Sequence, residues 1–296
     1  MTVSRSEEAR HEAGPELRWC ESWTFDFTAD DGSIGGWARL SLLPNVGRGG
    51  VAWYHAFVTG PDQQLVAVID DAVPLPPSDL EIRTTGLWAT HICETPHDHW
   101  TIGLEAFGLG VDDPGEIYGR QFGDRVPLGF DLEWEAVAAA EPVDGDRYRQ
   151  PCGVTGELLV GSAEIDLDAT GWRGHRWGVL PVWDDRSVDV DGRLDDGMTF
   201  STTVVNGDLT NAVGTLDGDA VSVGESSLAT GAHGLPTGGR VRLGGLEVGL
   251  DVVGTTPLEV TDPEQRVART PRAMCRCTAA DGRSGSAWLE VVEPRS

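Results

Sequence analysis

The chain is 296 residues long with a formal net charge of −26, and all 22 of its basic residues are arginine. So acidic a surface repels polyphosphate, which argues against nucleic acid and anionic membranes as partners. The lack of lysine removes Schiff-base catalysis, a pyridoxal-phosphate anchor and the Walker A motif, and no glycine-rich dinucleotide fingerprint is present.

Residues 1–15 are polar, carrying Glu7, Glu8, Arg10 and Glu12 without an apolar stretch. They read as a disordered tail and not as a leader peptide, so the expected compartment is the cytoplasm. From there 39 glycines and 17 prolines separate short apolar runs, the punctuation of an all-β chain. Residues 21–27 alternate, with Trp23, Phe25 and Phe27 on one face and Ser22, Thr24 and Asp26 on the other, as in a half-buried strand. Asp30-Asp31-Gly32-Ser33 makes a hairpin turn and residues 36–43 return. Strands are expected again at 51–59, 64–70, 80–85, 87–93 and 100–111. Residues 115–122 read as a mobile loop, and 126–139 as a long strand whose Asp131, Glu133 and Glu135 face water.

The acidic stretch 140–149 suggests a domain boundary, giving a first β domain over 16–145 and a second over 146–296. The second half restarts with strands at 152–160 and 163–167, crosses a charged connection at 184–193, and ends in strands at 198–205, 273–278 and 287–292. Asp-Gly turns at 31–32, 196–197 and 281–282 hint at two similar halves, and so many short strands predict two barrels or sandwiches packed in tandem. No apolar run approaches the ~18 residues that a membrane-spanning helix needs.

The five cysteines (Cys20, Cys93, Cys152, Cys275 and Cys277) have no C-x-x-C spacing and read as buried free thiols. His91, Cys93, His97 and His99 have metal-ligand residue types, but Pro96 and Asp98 among them fit an exposed turn; neither a metal nor another cofactor is expected.

Gly171 to Gly178 concentrates one histidine, two arginines and two tryptophans near mid-chain, which suggests a ligand pocket or, equally, a Trp/Gly corner of a β-structure. His175 is the best acid–base candidate, since its intrinsic pKa lies near neutrality, although a structural histidine fits the same pattern. Arg173 and Arg176 have the fork geometry to hold a carboxylate or a developing oxyanion, unless both simply face water. Glu21 and Glu105 lie on apolar strands, as buried general acids or as exposed carboxylates. Trp53 and His55 share a strand face, and Trp23, Trp172 and Trp177 add further rings that would shape a substrate. The expected catalytic set is therefore His175, Arg176 and Glu21, and the expected binding set Trp23, Trp53, His55, Glu105, Trp172, Arg173 and Trp177.

The segment Glu21-Ser22-Trp23-Thr24-Phe25-Asp26-Phe27, the turn Leu43-Pro44-Asn45 and the stretch Gly171 to Gly178 resemble the tandem lipocalin-like (calycin) superfamily. That superfamily includes the carotenoid 1,2-hydratases, or hydroxyneurosporene synthases, and the AttH-like proteins; lipocalin-type Diels–Alderases are similar in architecture. Trp88 to Glu94, Gly103 to Gly108 and Asp112-Asp113-Pro114 resemble an actinobacterial-type branch of it. In the hydratases the central motif reads aromatic-His-Asp-His-Asn-Trp-Gly, with the aspartate as the acid. His175, Trp177 and Gly178 match it, but Gly174 stands at the aspartate and Arg176 at the asparagine. The resemblance thus implies the architecture and a cavity for a largely apolar small molecule, and not hydration.

The expected function is a cofactor-independent isomerase or lyase, of the cyclase or pericyclase kind, acting on a hydrophobic polyketide or terpenoid. A non-catalytic binder or carrier of such a molecule is the alternative.

Overall fold

The computed structural model describes residues 3–119 and 122–295. Eleven strands form a first antiparallel sheet: β1 (Glu21–Ala29), β2 (Gly35–Leu43), β3 (Val51–Thr59), β4 (Leu65–Pro74), β5 (Ile82–Thr84), β6 (Leu87–Thr95), β7 (His99–Val111), β8 (Asp124–Ala136), β9 (Glu141–Asp144), β10 (Arg147–Val160) and β11 (Ala163–Arg176). The order β4-β3-β2-β1-β11-β10-β8-β7 is closed by pairing of β4 with β7, so eight strands form a barrel without free edges.

The second sheet takes β12 (Ser187–Leu194), β13 (Thr199–Val205), β14 (Val213–Leu216), β15 (Asp219–Ala220), β16 (Ser227–Thr230), β17 (Pro236–Leu243), β18 (Leu246–Thr256), β21 (Arg272–Ala279) and β22 (Ser284–Arg295). The pair β19 (Glu259–Thr261) and β20 (Val267–Arg269) joins it through β22. In each sheet the first strand pairs with both the second and the last, β1 with β2 and β11, β12 with β13 and β22. The fold is all-β, two curled sheets in tandem.

The hairpins follow their turn chemistry. At Asp31-Gly32-Ser33 the glycine takes φ +69°, and the Asp31 carboxylate accepts the Ser33 amide at 2.9 Å. Asp131, Glu133 and Glu135 are exposed along β8 while Leu132 and Trp134 point inward, as alternation requires.

Three expectations fail. Residues 147–176 do not open the second domain: β10 and β11 fill the gap between β8 and β1, and without them the barrel would not close. We therefore place the boundary between Arg176 and Ser187, not at 145/146. The charged stretch 184–193 is mostly strand β12, whose aspartates turn toward the first barrel. Residues 115–118 of the expected loop belong to a short 3-10 turn, Pro114–Tyr118, with Gly115 and Ile117 buried; Arg120 and Gln121 lie outside the described residues.

The apolar side chains sort into three clusters. Trp23, Phe25, Tyr54, Trp100 and Trp134 fill the first barrel, and Val190, Phe200, Val241, Leu250 and Leu289 belong to the second. Trp37, Trp53, Phe57, Trp183, Met274 and Trp288 pack between the two. Each such aromatic buries roughly 150–250 Å², so most of the tryptophan excess is spent on interiors and on the seam between barrels.

Candidate functional site

Strand β11 runs on through Arg176, so residues 171–176 of the central motif are its last six, in a ladder where Trp23 faces His175 and Phe25 faces Arg173 on β1, and Trp177 and Gly178 follow the strand. Alternation then divides the motif between two surfaces. Glu21, Trp23, Arg173 and His175 point into the first barrel. Ser22, Thr24, Asp26, Trp172, Gly174 and Arg176 face the second barrel. Gly171 must be glycine, because a Cβ there would sit 1.9 Å from the Asp26 carbonyl oxygen.

On the inner surface the N-terminal segment closes the site. Residues 5–8 form a 3-10 turn capped by Ser4, and Glu8 is buried. Its carboxylate accepts from the His97 amide (3.0 Å), the Trp100 indole (3.1 Å) and Arg173 Nη1 (3.1 Å), and also from Arg173 Nη2. Burial pushes the Glu8 carboxyl upward, but the Arg173 charge and these bonds outweigh it and leave the pKa below the ordinary value. Burial likewise works against the Arg173 cation, and Glu8 reverses the balance in its favour.

Beside this pair, Glu21 Oε1 lies 3.0 Å from His175 Nε2 and 2.8 Å from His11 Nδ1, and accepts the His11 amide at 2.9 Å. His175 stacks on Trp23 (ring centroids 4.5 Å apart) and His11 on Trp177 (3.9 Å). Residues 4–15 are thus a docked arm, not a disordered tail: in addition Arg10 donates to the Pro76 carbonyl, and Asn45 to the carbonyls of Gly14 and Glu16.

The outer surface forms a cleft between the barrels, a cavity of about 160 Å³ walled by Trp53, Trp172, Leu180, Val182, Leu258 and Val260. Ion pairs cross it from one sheet to the other: Arg39–Glu290 (2.8 Å), Arg147–Asp189 (2.8 Å), Arg149–Asp191 (2.7 Å) and Asp26–Arg272 (2.6 Å). Desolvation pushes the Asp26 carboxyl up to about 6 despite Arg272, whereas at Asp189 the Arg147 charge and the Thr203 hydroxyl overcome burial and lower it. The lattice leaves donors unused. Arg149 Nε and Nη2 and Arg272 Nη1 are buried without a hydrogen-bond partner among the described residues, Arg272 Nε faces Glu290 at 3.6 Å, and Arg176 makes no ion pair among the described residues.

His55 lines the same cleft. Its Nε2 lies 2.7 Å from the Asp71 carboxylate, which fixes the proton there, and its Nδ1 is buried with no partner among the described residues. A carboxylate-oriented imidazole with a free lone pair is the arrangement of a general base.

The expected site residues therefore do not form one set. Glu21, Trp23, Arg173, His175 and Trp177 meet under the arm; Arg176, Trp172, Trp53 and His55 line the cleft. Glu105 joins neither, being exposed on β7 opposite Trp88 and Gly129. His91, Cys93, His97 and His99 do not form a converging ligand set among the described residues; His91 is buried in the first barrel, where desolvation lowers its pKa to about 4. Burial raises the thiols of Cys20 and Cys152 to about 12, as expected for inert cysteines.

Sequence reasoning missed Glu7, Glu8, His11, Asp71, Arg149, Asp189, Asp191 and Arg272. One signal was available: Ser4 followed by Glu7 is the spacing of a helix-start box, a sign of local order.

A closed eight-stranded barrel followed by a second curled sheet, with a polar cleft between them, defines a tandem lipocalin-like protein. The family described as "Domain of unknown function (DUF7064)" matches residues 4–295, and the chain belongs to it. A comparison with curated protein sequences finds no match. Among solved structures, the chain is similar to a protein of Nitrosomonas europaea assigned as an AttH, with TM-score 0.63 and 13% identity over 99% of this chain and 97% of that one. Kievitone hydratase from Nectria haematococca is similar at TM-score 0.59 and 13% identity, over 98% and 93% of the two chains. CghA, solved with Sch210972, is similar at TM-score 0.57 and 13% identity, over 94% and 89%. The fold is that of the AttH-like, tandem lipocalin superfamily that the sequence resembles.

Proposed function

We propose that the chain is an enzyme of isomerase or lyase type, acting by acid–base chemistry on an amphiphilic small molecule bound between the barrels. The observation that carries this reading is the incompletely paired cleft wall: Arg149, Arg272 and His55 all line one cavity, and Arg149 Nε and Nη2, Arg272 Nη1 and His55 Nδ1 are buried without a hydrogen-bond partner among the described residues. Buried polar groups are normally paired, so those left open here suit a ligand that supplies acceptors and a proton. A carbonyl or carboxylate head would accept from the arginines, and His55 would take a proton from the adjacent carbon while Asp71 steadies the imidazolium. Trp53 and Trp172 offer faces for a ring or polyene.

The volume of about 160 Å³ suits a head group, and the remainder of a larger ligand would extend toward the mouth. The two named neighbours support small-molecule chemistry, one called a hydratase and the other holding Sch210972. His175 and Glu21 face away from this cleft, and we assign them no step in it.

A panel of polyketide and terpenoid acids tests the reading by mass spectrometry and by quenching of tryptophan fluorescence. We expect His55→Gln to keep binding and lose about 10²–10⁴-fold in turnover, the usual range for a general base, and Arg149→Gln to weaken binding. Undiminished turnover in His55→Gln would refute the assignment.

The carrier alternative has its own supporting observation. The second domain holds a separate cavity of about 330 Å³ whose lining combines Val190, Val241, Leu250 and Leu289 with Arg186, Glu225 and Arg240. Apolar ligands displaced from this cavity, with no product from any of the acids, would favour a carrier.

A further inference from the structure

The cluster under the N-terminal arm takes no part in the cleft chemistry, and with neutral imidazoles its hydrogen-bond arithmetic does not close. His175 Nδ1 lies 2.7 Å from the Glu7 carbonyl oxygen, which only accepts, so the His175 proton resides on Nδ1. The neutral ring then turns its Nε2 lone pair toward Glu21 Oε1, itself an acceptor, at 3.0 Å. His11 repeats the pattern. Its Nε2 lies 2.9 Å from the Glu7 carboxylate and its Nδ1 2.8 Å from the same Glu21 oxygen, so a neutral ring with its proton toward Glu7 turns a lone pair on Glu21. Two imidazole nitrogens and one carboxylate oxygen thus converge, and the added positive charge that completes them is carried either by ring protons or by a bound cation.

We infer that the charge is that of a divalent transition-metal ion of the zinc class, held by His11 Nδ1, Glu21 and His175 Nε2. The three ligand atoms lie within 4.8 Å of one another. Zn–N and Zn–O bonds of about 2.0–2.1 Å put tetrahedral donors about 3.4 Å apart; the two His–Glu21 pairs, at 2.8 and 3.0 Å, are already near that spacing, and the third pair closes by no more than about 1.4 Å. Two imidazoles and one carboxylate suit zinc better than magnesium or calcium, which prefer all-oxygen shells. The second shell is also in place. Metal-binding histidines characteristically donate their other N–H to a carboxylate or a backbone carbonyl, and Glu7 supplies both, its carbonyl to His175 and its carboxylate to His11.

The surroundings fit as well. Glu21 and His175 are 1% exposed, while the side chains of His11 and Glu7 are 23% and 34% exposed, which leaves a route for the ion through the arm. The ion would bond the arm to the barrel, joining residue 11 to β1 and β11. Local spacing hides this site, because its ligands are separated by 10 and 154 residues.

The test uses the full chain, stripped with a chelator and titrated with Zn2+ alone, in excess Mg2+ to occupy surface carboxylates. One Zn2+ per chain with a sub-micromolar Kd is the expected result. Glu21→Gln should abolish binding, His11→Ala should weaken it at least 100-fold, and Glu7→Gln should weaken it about 10-fold, as loss of a second-shell partner does. Co2+ in place of zinc should give a visible d–d absorption that His11→Ala removes. His11 lies on the arm outside both barrels, so this variant stays informative even if a Glu21 or His175 variant fails to fold. Fewer than one zinc in five chains, or His11→Ala binding zinc as tightly as the parent, would overturn the inference.

Discussion

The Glu8–Arg173 pair gives the most demanding test of how the arm is held. Glu8→Gln keeps the shape of the side chain but replaces an acceptor oxygen with an NH2 group that faces the Arg173 donors. Both side chains are nearly inaccessible, Glu8 at 3% and Arg173 at 2%. Breaking such a buried pair leaves a desolvated cation, which costs about 3–5 kcal/mol when the structure is unable to relax. Relaxation is available here, because the arm can lift and admit water to Arg173. The loss is therefore capped by the docking free energy of the arm, and we expect about 2–4 kcal/mol in urea unfolding. Amide exchange of residues 5–12 should accelerate at the same time.

The acid limb of stability follows from the lowered Glu8 pKa. A carboxyl held below its unfolded value contributes stability above about pH 4.3, and that contribution disappears as the pH falls through the folded pKa. The gap between the parent and Glu8→Gln should accordingly be full at pH 6–7 and shrink below about pH 4. A loss under about 1 kcal/mol with the arm amides still protected would show that the ion pair does not hold the arm.

Other outcomes follow from single positions. Asp26→Ala removes the shorter of the two carboxylate contacts of Arg272, leaving it between the Trp37 and Trp288 rings with Glu290 at 3.6 Å, and should cost about 3 kcal/mol, the low end for a broken buried pair; adding Arg272→Met should recover part of the loss in a double-mutant cycle. Gly171→Ala forces a Cβ against the Asp26 carbonyl oxygen and should cost at least about 3 kcal/mol or prevent folding, judged by soluble yield and thermal melting. Gly174→Asp has room, since a Cβ there meets only the Tyr148 carbonyl oxygen at 3.5 Å. It should change stability by less than about 1.5 kcal/mol while placing a carboxylate in the cleft. Thiol labelling of the native protein should reach Cys93 alone, slowly, because the other four cysteines are buried; rapid labelling of Cys20 or Cys152 would contradict that packing.

Strand alternation and turn residues, both short-range properties, were enough to read the all-β class and most strands directly from the chain. Trp23, Phe25 and Phe27 share a face because side chains on a strand alternate, and Asp31-Gly32 turns because glycine accepts a positive φ. Alternation does not say what covers each face, however. The motif at 171–178 was legible as unusual, but its division into a barrel-facing His175 and a cleft-facing Arg176 depends on where β1 lies beside it. The charged run at 184–193 looked like a connection because its aspartates had no visible partners; Arg147 and Arg149 arrive from the other barrel. The arm looked disordered for the same reason, since Glu8 meets Arg173 across 165 residues of chain. Burial turns a charge from a solvated group into a paired one, and which charges are buried is decided only when distant strands assemble.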